Sequence, residues 1–67
     1  MSATSDFAEL SSLQAQVGDL TDRVVAVGDR YRDTDDSAIS AEIDQAERAL
    51  LGAVRALDRA SRLVADT

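Results

Sequence analysis

The sequence lacks cysteine, histidine, proline and tryptophan, and it has one tyrosine and one phenylalanine among 67 residues. Without histidine or cysteine, the chain has no imidazole base, no thiol nucleophile and none of the usual ligands of transition metals. A chain of this length buries only about 60% of its unfolded surface when it folds alone, and no disulfide can supplement its core. We therefore expect no enzyme, no metal and no cofactor, and we expect oligomerisation to contribute stability.

Long apolar runs are also missing. No run approaches the roughly 18 residues needed to span a bilayer, and residues 1–6 contain neither the basic nor the apolar region of a signal peptide. The net charge is −6, and no aromatic residues alternate with the seven arginines, which disfavours binding to nucleic acids. These features predict a cytoplasmic protein that binds no membrane, no nucleic acid and no evident small-molecule substrate.

Apolar residues recur in steps of three and four in both halves of the chain, a spacing typical of α-helices that pack together. In the first half these residues are Leu10, Leu13, Val17, Leu20, Val24, Val27 and Tyr31. In the second half they are Ile39, Ile43, Ala46, Leu50, Ala53, Leu57, Ala60 and Val64. The pattern predicts one domain, 1–67, with a flexible segment at 1–5, helices at about 6–32 and 37–65, and a turn at 33–37.

The two stripes mirror each other if the chain folds back near residue 35. Residues whose numbers sum to about 70 then meet, so that Val27 faces Ile43 and Leu20 faces Leu50. Every apolar layer is filled from both sides in this register. The sequence therefore predicts an all-α antiparallel helical hairpin.

Apolar residues outside the stripes predict a further packing partner, because an apolar arc wider than one seam normally faces several neighbours. We expect Val25, Leu51, Val54 and Leu63 to be buried in that contact. The partner is a second copy, forming a four-helix bundle dimer, or a larger protein. Separately, arginines spaced by seven form a row that either binds an acidic partner or is an ordinary solvated face: Arg48, Arg55 and Arg62.

The segment between the helices is acidic and includes Asp33, Asp35 and Asp36. Aspartate favours turns and helix N-caps. The segment lacks the glycine and distal glutamate of a calcium-binding loop. We interpret it as a turn that caps the second helix.

Tyr31 and Asp35 form a Tyr-x-x-x-Asp pattern within the stretch 27–35. This stretch resembles the tail signal of small helical substrates of the type VII (ESX) secretion systems of actinobacteria, which are related to the WXG-motif proteins. The resemblance implies that Tyr31 and Asp35 are recognised by an export ATPase and that the protein is secreted as a folded helical dimer. The position of Tyr31 at an a position of the heptad favours the other interpretation, that it is a core residue.

These observations favour a noncatalytic protein-protein interaction module, a small adaptor or accessory subunit acting as a dimer. Two alternatives remain open at this point. One is a substrate of a type VII secretion system, and the other is a subunit that contributes carboxylates to a larger enzyme.

Overall fold

The computed structural model describes the backbone of residues 3–67 and the side chains of residues 5–67. This part of the chain forms two helices, α1 (Ala3–Asp29) and α2 (Ser37–Ala65), and no strand. The helices pack against each other as an antiparallel hairpin, a rod 51 Å long and 14 by 13 Å across. The predicted all-α helical hairpin is confirmed.

The bounds of α2 coincide with the prediction, whereas α1 both begins and ends three residues earlier than expected. After Asp29 the hydrogen bonds change to the i→i−3 pattern of a tighter helical turn. The backbone N–H groups of Arg30 and Tyr31 donate to the carbonyls three residues before them, both at 3.1 Å. Such tightening is common at helix ends. At the other end, residues 3–5 belong to α1, and residues 1 and 2 of the predicted flexible segment lie outside the described residues.

Residues 30–36 reverse the chain. Asp33 adopts a positive φ of 62°, a left-handed conformation that aspartate tolerates better than most residues. The Thr34 hydroxyl donates to the Tyr31 carbonyl at 2.6 Å and accepts from the Asp36 N–H at 3.1 Å. One threonine thus bonds to both sides of the turn and fixes its backbone.

Asp36 occupies the N-cap position of α2, but its side chain makes no capping hydrogen bond. The prediction that this acidic turn caps α2 is therefore wrong for the Asp36 carboxylate. Its φ of −98° and ψ of 39° depart from the extended backbone typical of N-caps. The residue stabilises the first turn of α2 through its backbone instead, since the Ile39 N–H donates to the Asp36 carbonyl at 2.9 Å.

The helices approach each other closely at Gly28 and Ile43. A methyl group built at the Cβ position of Gly28 would stand 2.9 Å from Cγ2 of Ile43. Facing residues therefore sum to 71, so Ile43 lies against Gly28 rather than against Val27, whose surface is 37% exposed. The sum of 71 agrees with the predicted sum of about 70, but Gly28 and not Val27 meets Ile43, so the facing residue of α1 lies one position later than expected.

Small hydroxyl-bearing residues are the most deeply buried side chains of the seam between the helices. Thr21, Ser40 and Ser61 are 5%, 8% and 5% exposed. Each hydroxyl donates to a carbonyl of its own helix, at 2.7, 2.9 and 2.8 Å respectively, so no buried polar group is left without a partner there. Their size lets the helices pack closely without large side chains between them.

The hairpin has a seam but no apolar core of its own. Within residues 5–67 no hydrophobic side chain is fully buried. The chain exposes 4874 Å², whereas a compact monomer of 7.1 kDa exposes about 4,100 Å². The helices alone therefore leave a large part of their apolar surface in water.

Candidate protein-protein interface

Three large apolar residues of α1 lie at the edge of the seam with α2 and are partly exposed. Leu13, Leu20 and Val27 are 38%, 47% and 37% exposed. They are spaced by seven residues, and a helix advances about 100° per residue, so they form one row along α1. The apolar stripes predict that all three lie in internal layers of the hairpin, and that prediction is wrong for this row.

A matching row lies on α2 and consists of Ile39, Ala46, Ala53 and Ala60, again spaced by seven. Ile39 is 42% exposed, Ala46 and Ala53 are exposed, and Ala60 is half-buried. On each helix, the row is offset in the same rotational direction from the column that faces the other helix. Because the two helices are antiparallel, this offset places both rows on the same side of the hairpin. We call the two rows together the open face.

Half-buried apolar residues line the space between the two rows. They are Leu10, Val17, Val24 and Tyr31 from α1 and the turn, and Ile43, Leu50, Leu57 and Val64 from α2. The opposite helix covers one side of each of these side chains. The other side is exposed at the open face. The open face and the strip form one continuous apolar surface along the rod.

The structure does not bring the four predicted interaction residues together. Val54 is half-buried in the heptad column that holds Ser61, and the register of 71 places it opposite Val17, inside the hairpin. Val25 is half-buried, and Leu51, 36% exposed, lies on the side of the hairpin away from the open face.

Leu63 is 69% exposed, the largest exposure among the large apolar side chains of residues 5–67. It shares a heptad column with Ala49 and Ala56, both exposed. This column lies beside the row of Ile39, and it therefore widens the apolar surface of α2 beyond the open face. Of the four predicted residues, only Leu63 adjoins that surface.

The arginine row lies on the side of α2 turned away from the open face, and Arg48, Arg55 and Arg62 are all exposed. Arg62 Nη2 binds Asp58 Oδ2 at 2.8 Å, the i,i+4 pair of a helix surface. Such exposed pairs contribute about 0–1 kcal/mol. Whether the row binds an acidic partner stays a prediction.

Tyr31 and Asp35, the two residues of the secretion-signal pattern, both lie in the turn that joins the helices. Tyr31 is half-buried and Asp35 is exposed. The Tyr31 N–H donates to the Gly28 carbonyl and its carbonyl accepts from the Thr34 hydroxyl, so its backbone is part of the turn. The resemblance to type VII substrates stays a prediction.

Arg32 connects the turn to both helices. Its Nη2 lies 3.3 Å from Asp29 Oδ1 and 3.4 Å from Asp44 Oδ1. The charge of Asp44, with that of Asp29 and the hydrogen bonds to both, raises the pKa of the Arg32 guanidinium. Asp44 thus pairs across the hairpin with Arg32, not along its helix with Arg48.

The charge is distributed unevenly along the rod. Residues 18–52, the half that contains the turn, hold nine acidic residues and four arginines. The other half, residues 3–17 and 53–67, holds four acidic residues and three arginines. The turn half therefore carries most of the net negative charge.

The described residues contain neither a metal site nor a membrane-spanning helix. Within the described residues, no group of three or more acidic side chains is arranged to hold a metal ion. Neither helix, over the same residues, combines the length and the apolar character needed to cross a membrane. Comparison of the chain with protein families, with curated proteins and with solved structures finds no match.

Proposed function

We propose that this chain is a noncatalytic protein-protein interaction module, a small adaptor or accessory subunit whose working form is a homodimer. In this dimer the open faces of two hairpins pack together and form a four-helix bundle. The observation that carries the proposal is the open face itself, which exposes Leu20 by 47% in a chain with no buried apolar side chain in its described part.

The surface area that one hairpin exposes matches what a second copy would cover. The chain exposes about 800 Å² more than a compact monomer of its mass. A standard protein-protein interface covers about 800 Å² on each partner. Two hairpins that cover each other's open face would thus reach the surface expected of compact proteins, although area alone does not set affinity.

A charge introduced at the centre of the open face tests the proposal. Leu20→Asp places a carboxylate in the middle of the row formed by Leu13, Leu20 and Val27, and burial of an unpaired charge is strongly unfavourable. Leu51→Asp is the matched control, because Leu51 is 36% exposed on the other side of the hairpin. The oligomeric state of both variants is measured by light scattering across a micromolar concentration series.

We expect the unsubstituted chain and Leu51→Asp to be dimers and Leu20→Asp to be a monomer with reduced helicity. The melting temperature of the unsubstituted chain should rise with protein concentration, because association stabilises the folded state by mass action. If the unsubstituted chain stays monomeric and helical at every concentration, that result contradicts the proposal. A disordered monomer that folds only when a larger protein is added replaces the homodimer with a heteromeric complex.

A further inference from the structure

We infer that the two copies in this dimer pack with their turns at opposite ends of the bundle. The inference rests on the proposed function, since it concerns the geometry of that dimer. A symmetric pair of hairpins that join through their open faces has two arrangements. The two-fold axis lies either along the rod, which places both turns at one end, or across it, which places them at opposite ends.

The charge distribution favours the second arrangement. With both turns at one end, two halves that each contain nine acidic residues and four arginines would lie side by side. Charges separated by much more than about 8–10 Å are screened at physiological ionic strength, so only the neighbouring halves repel appreciably. Turns at opposite ends place each strongly acidic half beside the nearly neutral half of the other copy.

The outer edge of α1 supports the same arrangement. Glu9, Gln16 and Arg23 are exposed and spaced by seven, and they border the row of Leu13 and Leu20. Read in the opposite direction, the order Glu9, Gln16, Arg23 becomes Arg23, Gln16, Glu9. Two antiparallel copies of this edge therefore place an acidic residue opposite a basic one at both ends. When α1 packs antiparallel to α1 of the second copy about Gln16, each Glu9 meets an Arg23, the two Gln16 side chains meet, and Leu13 lies near Leu20.

The outer edge of α2 fits the same axis. The register of 71 places the level of Gln16 on α1 at residue 55 of α2. An antiparallel pair of α2 helices about that level brings Ala56 near Ala56 and Ala49 near Leu63. The 69% exposed surface of Leu63 is then covered by an alanine-lined part of the second copy.

The alternative arrangement matches these edges less well. With both turns at one end, α1 lies beside α2 of the second copy at the same level. Glu9 then faces the apolar Leu63, and Arg23 faces Ala49. Arg30 would gain Glu42 as a partner, but Arg30 lies beyond the end of α1, in the turn.

Single-cysteine variants distinguish the arrangements directly, because the chain has no cysteine of its own. Gln16→Cys should form an interchain disulfide under mild oxidation, and Asp35→Cys should not. Spin labels on Asp35→Cys should be about 50 Å apart, since the turn lies about 17 residues, at 1.5 Å each, from the axis. Turns at one end would bring those labels within about 20 Å, the width of two packed helices.

Charge exchange tests the Glu9–Arg23 contact. Glu9→Arg should weaken dimerisation about tenfold, because two symmetric pairs become repulsive. Glu9→Arg combined with Arg23→Glu should restore the affinity. Glu42→Arg is the matched control: it changes the net charge equally and lies away from Glu9 and Arg23 of the second copy, so it should not weaken dimerisation.

The outcomes separate the two proposals. A dimer in which Asp35→Cys cross-links and Gln16→Cys does not overturns the inferred orientation and leaves the proposed function standing. A dimer weakened by Glu42→Arg and not by Glu9→Arg overturns it as well. A chain that is monomeric throughout overturns both.

Discussion

Gly28 of α1 packs directly against the Ile43 side chain of α2, and a methyl group at its Cβ position would stand 2.9 Å from Ile43 Cγ2. Real Cβ atoms do not approach that closely, and Ile43 is β-branched and stiff at χ1. The contact therefore fixes both the distance between the helices and their register. It is also the point at which the structure departs from the register expected from the apolar stripes.

Gly28→Ala should destabilise the hairpin despite the better helix propensity of alanine. Overpacking costs about 1–3 kcal/mol, whereas the propensity gain is at most about 1 kcal/mol. Gly52→Ala is the control, because nothing lies within 4 Å of its Cβ position, and it should stabilise by up to about 1 kcal/mol. Urea unfolding at one fixed protein concentration measures both. Equal stabilisation by the two variants would show that the helices do not touch at Gly28.

Substitutions at Ser61 test whether small residues set the distance between the helices at the end of the hairpin opposite the turn. Its hydroxyl is bonded to the Asp58 carbonyl of its own helix and its side chain is 5% exposed. Ser61→Ala should change the free energy of unfolding by no more than about 0.5 kcal/mol, since alanine fits and favours helix. Ser61→Leu should cost about 1–3 kcal/mol through overpacking. A tolerated leucine would mean that the helices are further apart there.

Asp33 should be sensitive to its backbone conformation rather than to its charge. At φ 62° a β-branched side chain is strained, so Asp33→Val should destabilise by about 1 kcal/mol or more. Asp33→Gly should be neutral or stabilising, and Asp33→Asn, which removes the charge but tolerates the left-handed region, separates the two effects. Thermal unfolding of the three variants is compared. A stable Asp33→Val variant would contradict the turn conformation.

The ion pairs of Arg32 should depend on salt and not on pH near neutrality. Its pKa is raised on folding, chiefly by Asp44, so its stabilising effect is complete below the ordinary guanidinium pKa and is lost only as the pH rises through the higher folded value. Stability lost in Arg32→Gln should therefore be constant from about pH 6 to about pH 9 and should shrink between about 0.05 M and about 1 M salt. A loss that varies across that pH range would point to a different partner for Arg32.

The two helices, the turn and the antiparallel hairpin were predictable from the sequence, because the heptad spacing and the polar segment at 33–37 carry that information. The facing residues were not. In α1 the columns of Leu10 and Leu13 are both apolar, and periodicity does not say which column turns towards α2. The choice depends on how closely the backbones approach, and Gly28, Thr21 and Ser61 decide it through their small size.

The candidate interface was displaced for the same reason. If Leu13 and Leu20 are assigned to the inside of the hairpin, apolar residues such as Leu51 and Val25 remain to contact a partner. The structure rotates α1 so that Leu13 and Leu20 lie at the partly exposed edge of the seam and Gly28 faces inward. A sequence signal did exist: a column of Gln14, Thr21 and Gly28 beside an apolar column marks the side on which two helices can approach most closely.

The lack of any buried apolar side chain in the described part of a single hairpin has a consequence for the lifetime of the protein in the cell. Because the apolar side chains between the helices are only half-buried, a single hairpin gains little free energy from burial and opens at low cost, and an opened chain is accessible to proteases. Newly made copies would therefore be degraded until their number suffices for pairing, and the copy number itself would determine how long each molecule persists.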